Sequence, residues 1–502
     1  DSDNWHHGLE SSSIYEYENV SEVYLEQQLD HFHKLTDKKA NETFQQRYFY
    51  SDRHAGNISK ANAPVYAFLC VGGEGPSLDK SVLMDSVHCS GDMLELAKRL
   101  YEGEQARVHL FALEHRYYGE SYPEFKDKNG NATSPVTNEN LVFLSSLQAL
   151  ADIAHFIITM NDAHDLHKNK WITFGGSYPG MMAAWARLEY PKLVHAAVSN
   201  SAPIEMKLDF GAYNERVAYD LQYPLVGGSA ACLQVVMDGH QDIVNALANG
   251  YNKEIASLFH VCDKDSLLYR KNVEMFVGDG VINIPAQGND PHCDAKLCNI
   301  QKLCKTILEI RNHSSSLEVL VTTAKIQRKD EDKCLELDWN STLKFLASPA
   351  AQQGGLRSWL WQTCNEFGFY QTCEAKSLCP FARGFHPLEI DFEICEQAFN
   401  VSREEVADNV AKSHKYYGGW NMDARRILSV NGDVDPWSML ALTTERGDEL
   451  PTHWVKGASH HSWTHPVKET DDQEVRDARD IIYLKVMQWL EEDYRLVDVK
   501  EK

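Results

Sequence analysis

The stretch Trp171-Ile172-Thr173-Phe174-Gly175-Gly176-Ser177-Tyr178-Pro179-Gly180-Met181-Met182 constrains this chain more than any other. A short apolar strand runs into a turn of small residues, then a serine, then an amphipathic helix reaching Tyr190. This is the form of a nucleophile elbow, whose sharp turn lifts a serine Oγ above the end of a sheet. The backbone N–H of Tyr178 and the start of the helix then face any oxyanion that develops. The match to G-x-S-x-G is imperfect, because Pro179 stands where the last glycine belongs and Gly180 follows one place later. Proline in a first helical turn lacks only an N–H that the helix would leave unpaired anyway. The plain alternative is a Gly/Ser loop between any strand and helix, so partners elsewhere decide the reading.

Those partners occur in order. Arg425 to Val430 reads as a strand leading into the turn Asn431-Gly432-Asp433-Val434-Asp435-Pro436-Trp437, and a second strand, His453-Trp454-Val455, precedes Gly457-Ala458-Ser459-His460-His461. Serine, then acid, then histidine is the chain order of α/β-hydrolases. Each candidate lies just past a strand, where open α/β sheets build their sites. A single Asp in a turn is ordinarily a turn former and a single surface His ordinarily does nothing, so the weight rests on three elements in one order. Asp433 and His461 remain open as alternatives to their neighbours.

Through these motifs the chain resembles a family of serine exopeptidases that includes lysosomal prolyl carboxypeptidase, dipeptidyl peptidase II and thymus-specific serine protease. The resemblance spans nearly the whole chain: Gln28 to Phe32, Phe44 to Tyr48, Gly72-Gly73-Glu74-Gly75-Pro76, Glu114 to Ser121, Gly175 to Tyr178, Gln362 to Gly368, Tyr416 to Gly419, Asn431 to Trp437 and Ser459-His460. Phe367 to Thr372 and Ala183 to Leu188 are most like the thymus-specific branch. The resemblance implies an α/β-hydrolase fold with an inserted helical cap domain. It selects Asp435 over Asp433 and His460 over His461, and implies disulfides Cys364–Cys395 and Cys373–Cys379. It also implies cleavage after proline.

The expected chemistry is acyl transfer: Ser177 attacks a carbonyl, His460 takes and returns the proton, and Asp435 holds the imidazole tautomer. The oxyanion is expected at the N–H of Tyr178 and one from the loop after strand Val65 to Val71, which holds Gly72 and Gly73. Met181, Trp437 and Trp463 are expected walls of a small apolar slot, although Met181 and Met182 also read as helix core residues. For recognition of a chain end, Glu74 and Glu366 are candidate partners of a terminal amine and Arg116 of a terminal carboxylate. Each such residue is more often a structural ion-pair or loop residue than a specificity determinant, and dipeptidyl peptidase and carboxypeptidase stand nearly level. Histidine must be neutral to act as base, so activity should fall on acidification. No cofactor or metal is expected. An esterase, or an extracellular structural or polymer-forming protein on the same scaffold, are the alternatives.

The 502 residues, 43% hydrophobic and 10% aromatic, are ample for a large core and more than one domain. Their 49 basic and 73 acidic residues leave a formal charge of −24, which repels nucleic acid and anionic membranes. Twelve cysteines and the sequons at Asn19, Asn41, Asn57, Asn131, Asn312, Asn340 and Asn400 fit a secreted or lysosomal-type protein, as does a start at Asp1 without an apolar leader. No apolar run approaches a membrane span. Peptide is the expected partner, and a homodimer is left open. Cys293, Cys298 and Cys304 with His292 have spacings a metal could use, but disulfides are the better reading; Cys70, in a strand, reads as a buried thiol. Arg446-Gly447-Asp448 reads as a chance adhesion tripeptide. The expected layout is an N-terminal arm (1–30), a first hydrolase segment (31–204), the helical cap (205–350), which carries half the cysteines, and a second hydrolase segment (351–502) ending in a helix from Gln473 to Asp493.

Overall fold

A computed structural model describes residues 19–32, 42–60, 62–328 and 333–492. Among them, eight strands form one sheet: β1 (Ser21–Gln28), β2 (Thr43–His54), β3 (Val65–Val71), β4 (Arg107–Leu113), β5 (Lys170–Gly176), β6 (Val194–Asn200), β7 (Ile427–Gly432) and β8 (Thr452–Val455). Their order is β1-β2-β4-β3-β5-β6-β7-β8. β2 runs antiparallel to β1 and β4, and every other neighbouring pair is parallel. Ser21–Gln28, expected in the N-terminal arm, is instead the sheet's first strand. Ser21, Glu22 and Glu26 face water along an edge while Gln27 is buried against Asp152 and His155, so the strand lacks the apolar run that marks the inner strands.

Inner strands are buried on both faces, and their alternation divides the core in two. From β3, Ala67, Leu69 and Val71 enter one cluster and Tyr66, Phe68 and Cys70 the other. The first is closed by helices α1 (Ser146–His164) and α2 (Tyr178–Glu189) through Ile153, Phe156, Met182 and Trp185. The C-terminal helix Gln473–Glu491 closes the second through Ala478, Ile482, Val486 and Trp489. A mostly parallel sheet with one antiparallel strand near its edge, sandwiched between helices in this strand order, is an α/β-hydrolase fold.

Between β6 and β7 lies a long helical insertion. Helices α3 (Ala212–Gln222), α4 (Ala230–Ala248), α5 (Ile300–Arg311) and α6 (Ser316–Gln327) share their own core, including Leu221, Val236, Ile307 and Leu320. Residues 351–417, expected in the second hydrolase segment, pack on the hydrolase body: Cys364, Phe392 and Phe399 join Tyr117, Phe125 and Phe143. The sheet itself resumes only at Ile427.

The twelve cysteines form six disulfides: Cys70–Cys89, Cys232–Cys304, Cys262–Cys334, Cys293–Cys298, Cys364–Cys395 and Cys373–Cys379. Both pairings implied by the resemblance are present. Cys70 is not a free thiol; its position in β3 points it toward Cys89 in the following segment. Among the described residues no helix is long and apolar enough to cross a membrane.

Candidate active site

Ser177 sits where β5 ends and α2 begins, with φ 62° and ψ −132°. Left-handed backbone is costly for a residue with a Cβ, and it persists only where surrounding structure enforces it. Here Ser177 N–H donates to Asn200 O at 2.9 Å and its carbonyl accepts from Met181 N at 3.1 Å. The small neighbours have a steric reason: a Cβ on Gly175 would lie 2.3 Å from Pro179 O. Pro179 occupies the first turn of α2, as expected.

The acid and the histidine meet on the adjoining loops. His460 Nδ1 lies 2.8 Å from Asp435 Oδ2, and Trp437 N–H donates to Asp435 Oδ1 at 3.0 Å. A carboxylate only accepts, so it holds the proton on Nδ1 and leaves Nε2 as the basic nitrogen. Nε2 is buried and has no hydrogen-bond partner among the described residues. Gly432 permits the close crossing of the two loops, since a Cβ there would fall 2.3 Å from Ala458 O. The open neighbours are placed apart: Asp433 receives Tyr223 Oη at 3.1 Å and Gly457 N–H, while His461 packs its ring over Gly176 and pairs with Thr464. Burial, then the neighbouring His460, His465 and His88, hold His461 well below the usual histidine range, so its ring stays neutral.

The loop after β3 packs on the elbow, with a Gly73 Cβ excluded by Pro179 at 2.5 Å. Gly72 is a different case from Gly73: its N–H donates to Leu113 O at 2.8 Å, extending the β3–β4 ladder, so it is not available to an oxyanion. Behind the elbow, a buried network that motif reading missed fixes Tyr178. Its hydroxyl bonds His115 Nε2 and Gln362 Nε2, each at 2.9 Å, and Tyr118 Oη donates to Gln362 Oε1 at 2.6 Å.

Candidate specificity residues separate by what they already bind. Arg116 is fully buried; its guanidinium grips Asp152 through two hydrogen bonds, at 2.6 and 2.7 Å, and donates to the carbonyls of Gln28, Leu29 and Phe143. It cannot also bind a substrate carboxylate. Glu366 receives Ser146 N–H and Oγ, inside the same buried network as Tyr417, and so is structural. Trp463 is fully buried and donates to Asn200 Oδ1 at 2.7 Å, bracing the elbow instead of walling a slot. Met181 is also shut from solvent, packed in the cluster that contains Trp437. Trp437 itself borders His460 and completes an aromatic box with Phe210, Tyr213 and Phe369. Glu74 differs from the other acids, because its Oε2 is buried yet unpartnered. Burial raises its carboxyl to about 7, against an opposing pull from His460.

Strand order and an elbow serine beside a paired Asp and His loop define an α/β-hydrolase. Residues 27–482 match the family described as Serine carboxypeptidase S28, and the chain belongs to that family of serine peptidases. The thymus-specific serine protease of Mus musculus is 33% identical over 485 residues, covering 93% of this chain and 87% of that protein. The lysosomal Pro-X carboxypeptidase of Homo sapiens is 26% identical over 502 residues, covering 95% of this chain and 89% of that protein. Among solved structures, a Saccharomyces cerevisiae peroxisomal alpha-beta-hydrolase covers 93% of this chain and 90% of its own at 11% identity and a TM-score of 0.37. At that score the strand order, not the superposition, defines the fold.

Proposed function

We propose that this serine peptidase is an exopeptidase of the secretory or lysosomal route that cleaves short peptides after proline or a small residue near a chain end. The observation that carries the chemistry is the His460–Asp435 pair with its buried, unpartnered Nε2 on the loop whose next residue, His461, packs over Gly176 of the elbow. Ser177 Oγ bonds to the scissile carbonyl carbon as His460 Nε2 takes its proton; the tetrahedral oxyanion lies at the N–H groups of Tyr178 and Gly73. The C–N bond then breaks, His460 returns the proton to the leaving amine, and water repeats the sequence to free the enzyme. Losing one oxyanion donor costs about 3 kcal/mol in the transition state. The aromatic box around Trp437 suits a pyrrolidine ring, and a Pro-X specificity is the name carried by the human relative. Six disulfides and exposed sequon residues Asn19, Asn57, Asn131, Asn312, Asn340 and Asn400 support an oxidising, glycosylating compartment. Asn41 lies outside the described residues. Covalent labelling of Ser177 by a fluorophosphonate, located by peptide mass mapping, tests the mechanism. A purified, folded protein that resists the reagent would sink it.

Between the two chain ends, the free Glu74 oxygen favours the terminal amine, since Arg116 is occupied. A charge-assisted hydrogen bond of this kind contributes about 1.5–3 kcal/mol, so Glu74→Gln is expected to raise KM about 10- to 100-fold for peptides with a free N-terminus. N-acetylated peptides should be indifferent to the change. With its carboxyl at about 7, Glu74 is an anion above that pH and neutral below it. KM for free-amine peptides should therefore rise on acidification through about 7, and the variant should lose this dependence. Steady-state kinetics on peptides blocked at either end reads both outcomes; equal effects on acetylated peptides would remove Glu74 from amine recognition.

A further inference from the structure

The helical insertion sends one segment, residues 278–299, back to the catalytic loops, and Gln287 is its point of contact. Its carbonyl accepts His460 N–H at 3.1 Å. Its side-chain Oε1 accepts from Tyr213 Oη at 2.9 Å and from Trp437 Nε1 at 3.1 Å. Gln287 thus joins the histidine loop to two walls of the aromatic box, yet the residue remains exposed. The segment is firmly held. Val281 N–H donates to His240 Nε2 at 3.1 Å, Asn283 and Gln327 exchange bonds of 2.9 and 2.8 Å, Asn289 Oδ1 accepts Ile300 N–H at 2.9 Å, and Cys293–Cys298 closes its far end.

A carboxamide is planar, so two donors on its oxygen fix where its nitrogen points. Among the described residues Gln287 Nε2 makes no hydrogen bond, so with Oε1 held by the tryptophan and tyrosine the two N–H donors of the amide are left for another acceptor. We propose that Gln287 is a specificity-determining residue lent by the inserted domain: Oε1 sets the box, and the Nε2 amide donates to the backbone carbonyl preceding the residue seated there. This inference rests on the exopeptidase reading above. Any acyl-proline peptide carries that carbonyl, whichever terminus is free; proline anilide, with nothing on its ring nitrogen, lacks it.

Two variants separate the wall from the donor. Gln287→Ala removes both functions, whereas Gln287→Glu keeps an oxygen for Tyr213 and Trp437 but offers no N–H. With Ala-Pro substrates, each is expected to raise KM about 3- to 10-fold, the worth of one neutral hydrogen bond, while kcat changes less than about 3-fold. Proline anilide should show no matching rise in KM. Three results overturn the proposal: an unchanged KM for Ala-Pro substrates, a Gln287→Glu enzyme that behaves as wild type, or an equal KM rise with proline anilide, which would make Gln287 a strut only. If the wild-type protein itself fails to take a fluorophosphonate, the underlying peptidase reading has failed instead.

Discussion

Replacing Ser177 with alanine is expected to lower kcat about 10⁴- to 10⁶-fold on any peptide the enzyme cleaves, with no loss of folded structure. The magnitude follows from covalent catalysis: without Oγ there is no acyl-enzyme, and the oxyanion donors alone sustain only a residual rate. Alanine keeps the Cβ, so the unusual backbone at φ 62° is neither relieved nor worsened. Glycine at the same position is informative for the opposite reason. It should be equally inactive but more stable by about 1–2 kcal/mol, because the left-handed conformation costs glycine nothing. Turnover together with urea unfolding reads both variants. Peptide hydrolysis by Ser177→Ala near the wild-type rate would refute the nucleophile assignment.

The largest stability effect is expected at Asp152. This carboxylate is fully buried and binds Arg116 through both oxygens, at 2.6 and 2.7 Å, and His31 Nε2 at 2.8 Å. Burial alone would raise its pKa, but Arg116 and His31 hold it below the usual aspartate range. Asp152→Ala leaves a buried guanidinium without its counter-ion, and breaking such a pair costs about 3–5 kcal/mol. The pair also ties β1 to α1, because the same guanidinium bonds the carbonyls of Gln28 and Leu29. The sign of the pH dependence is fixed by the depressed pKa. The Asp152 contribution is present above the unfolded-state aspartate value and is lost as pH falls through the folded one. Urea midpoints at neutral pH measure the loss, and a variant within about 1 kcal/mol of wild type would show that the pair adds little net stability.

Legibility followed the physics of each element. Inner strands such as Trp171 to Phe174 were readable because both faces are buried and the residues are mostly apolar and β-forming. The edge strand Ser21–Gln28 was not, since one face meets water and its apolar residues are sparse. Cys70 read as a buried thiol because its partner, Cys89, follows an irregular loop that has no periodicity to place it. Gln287 carried no signal: nothing in a local pattern says that residues 278–299 return to the histidine loop.

Chain order and residue chemistry alone determined that this polypeptide would build an α/β sheet with a serine elbow, a later acid and a later histidine, because strand burial and turn chemistry are local properties. Tertiary structure decided which neighbours meet. It paired His460 with Asp435 while giving Asp433 to Tyr223, enclosed Arg116 against Asp152, took Gly72 N–H into the sheet, left a Glu74 oxygen unpartnered and set Gln287 beside Trp437. Hydrogen bonds act over about 3 Å, and separations of that kind between distant segments exist only once the whole chain has packed.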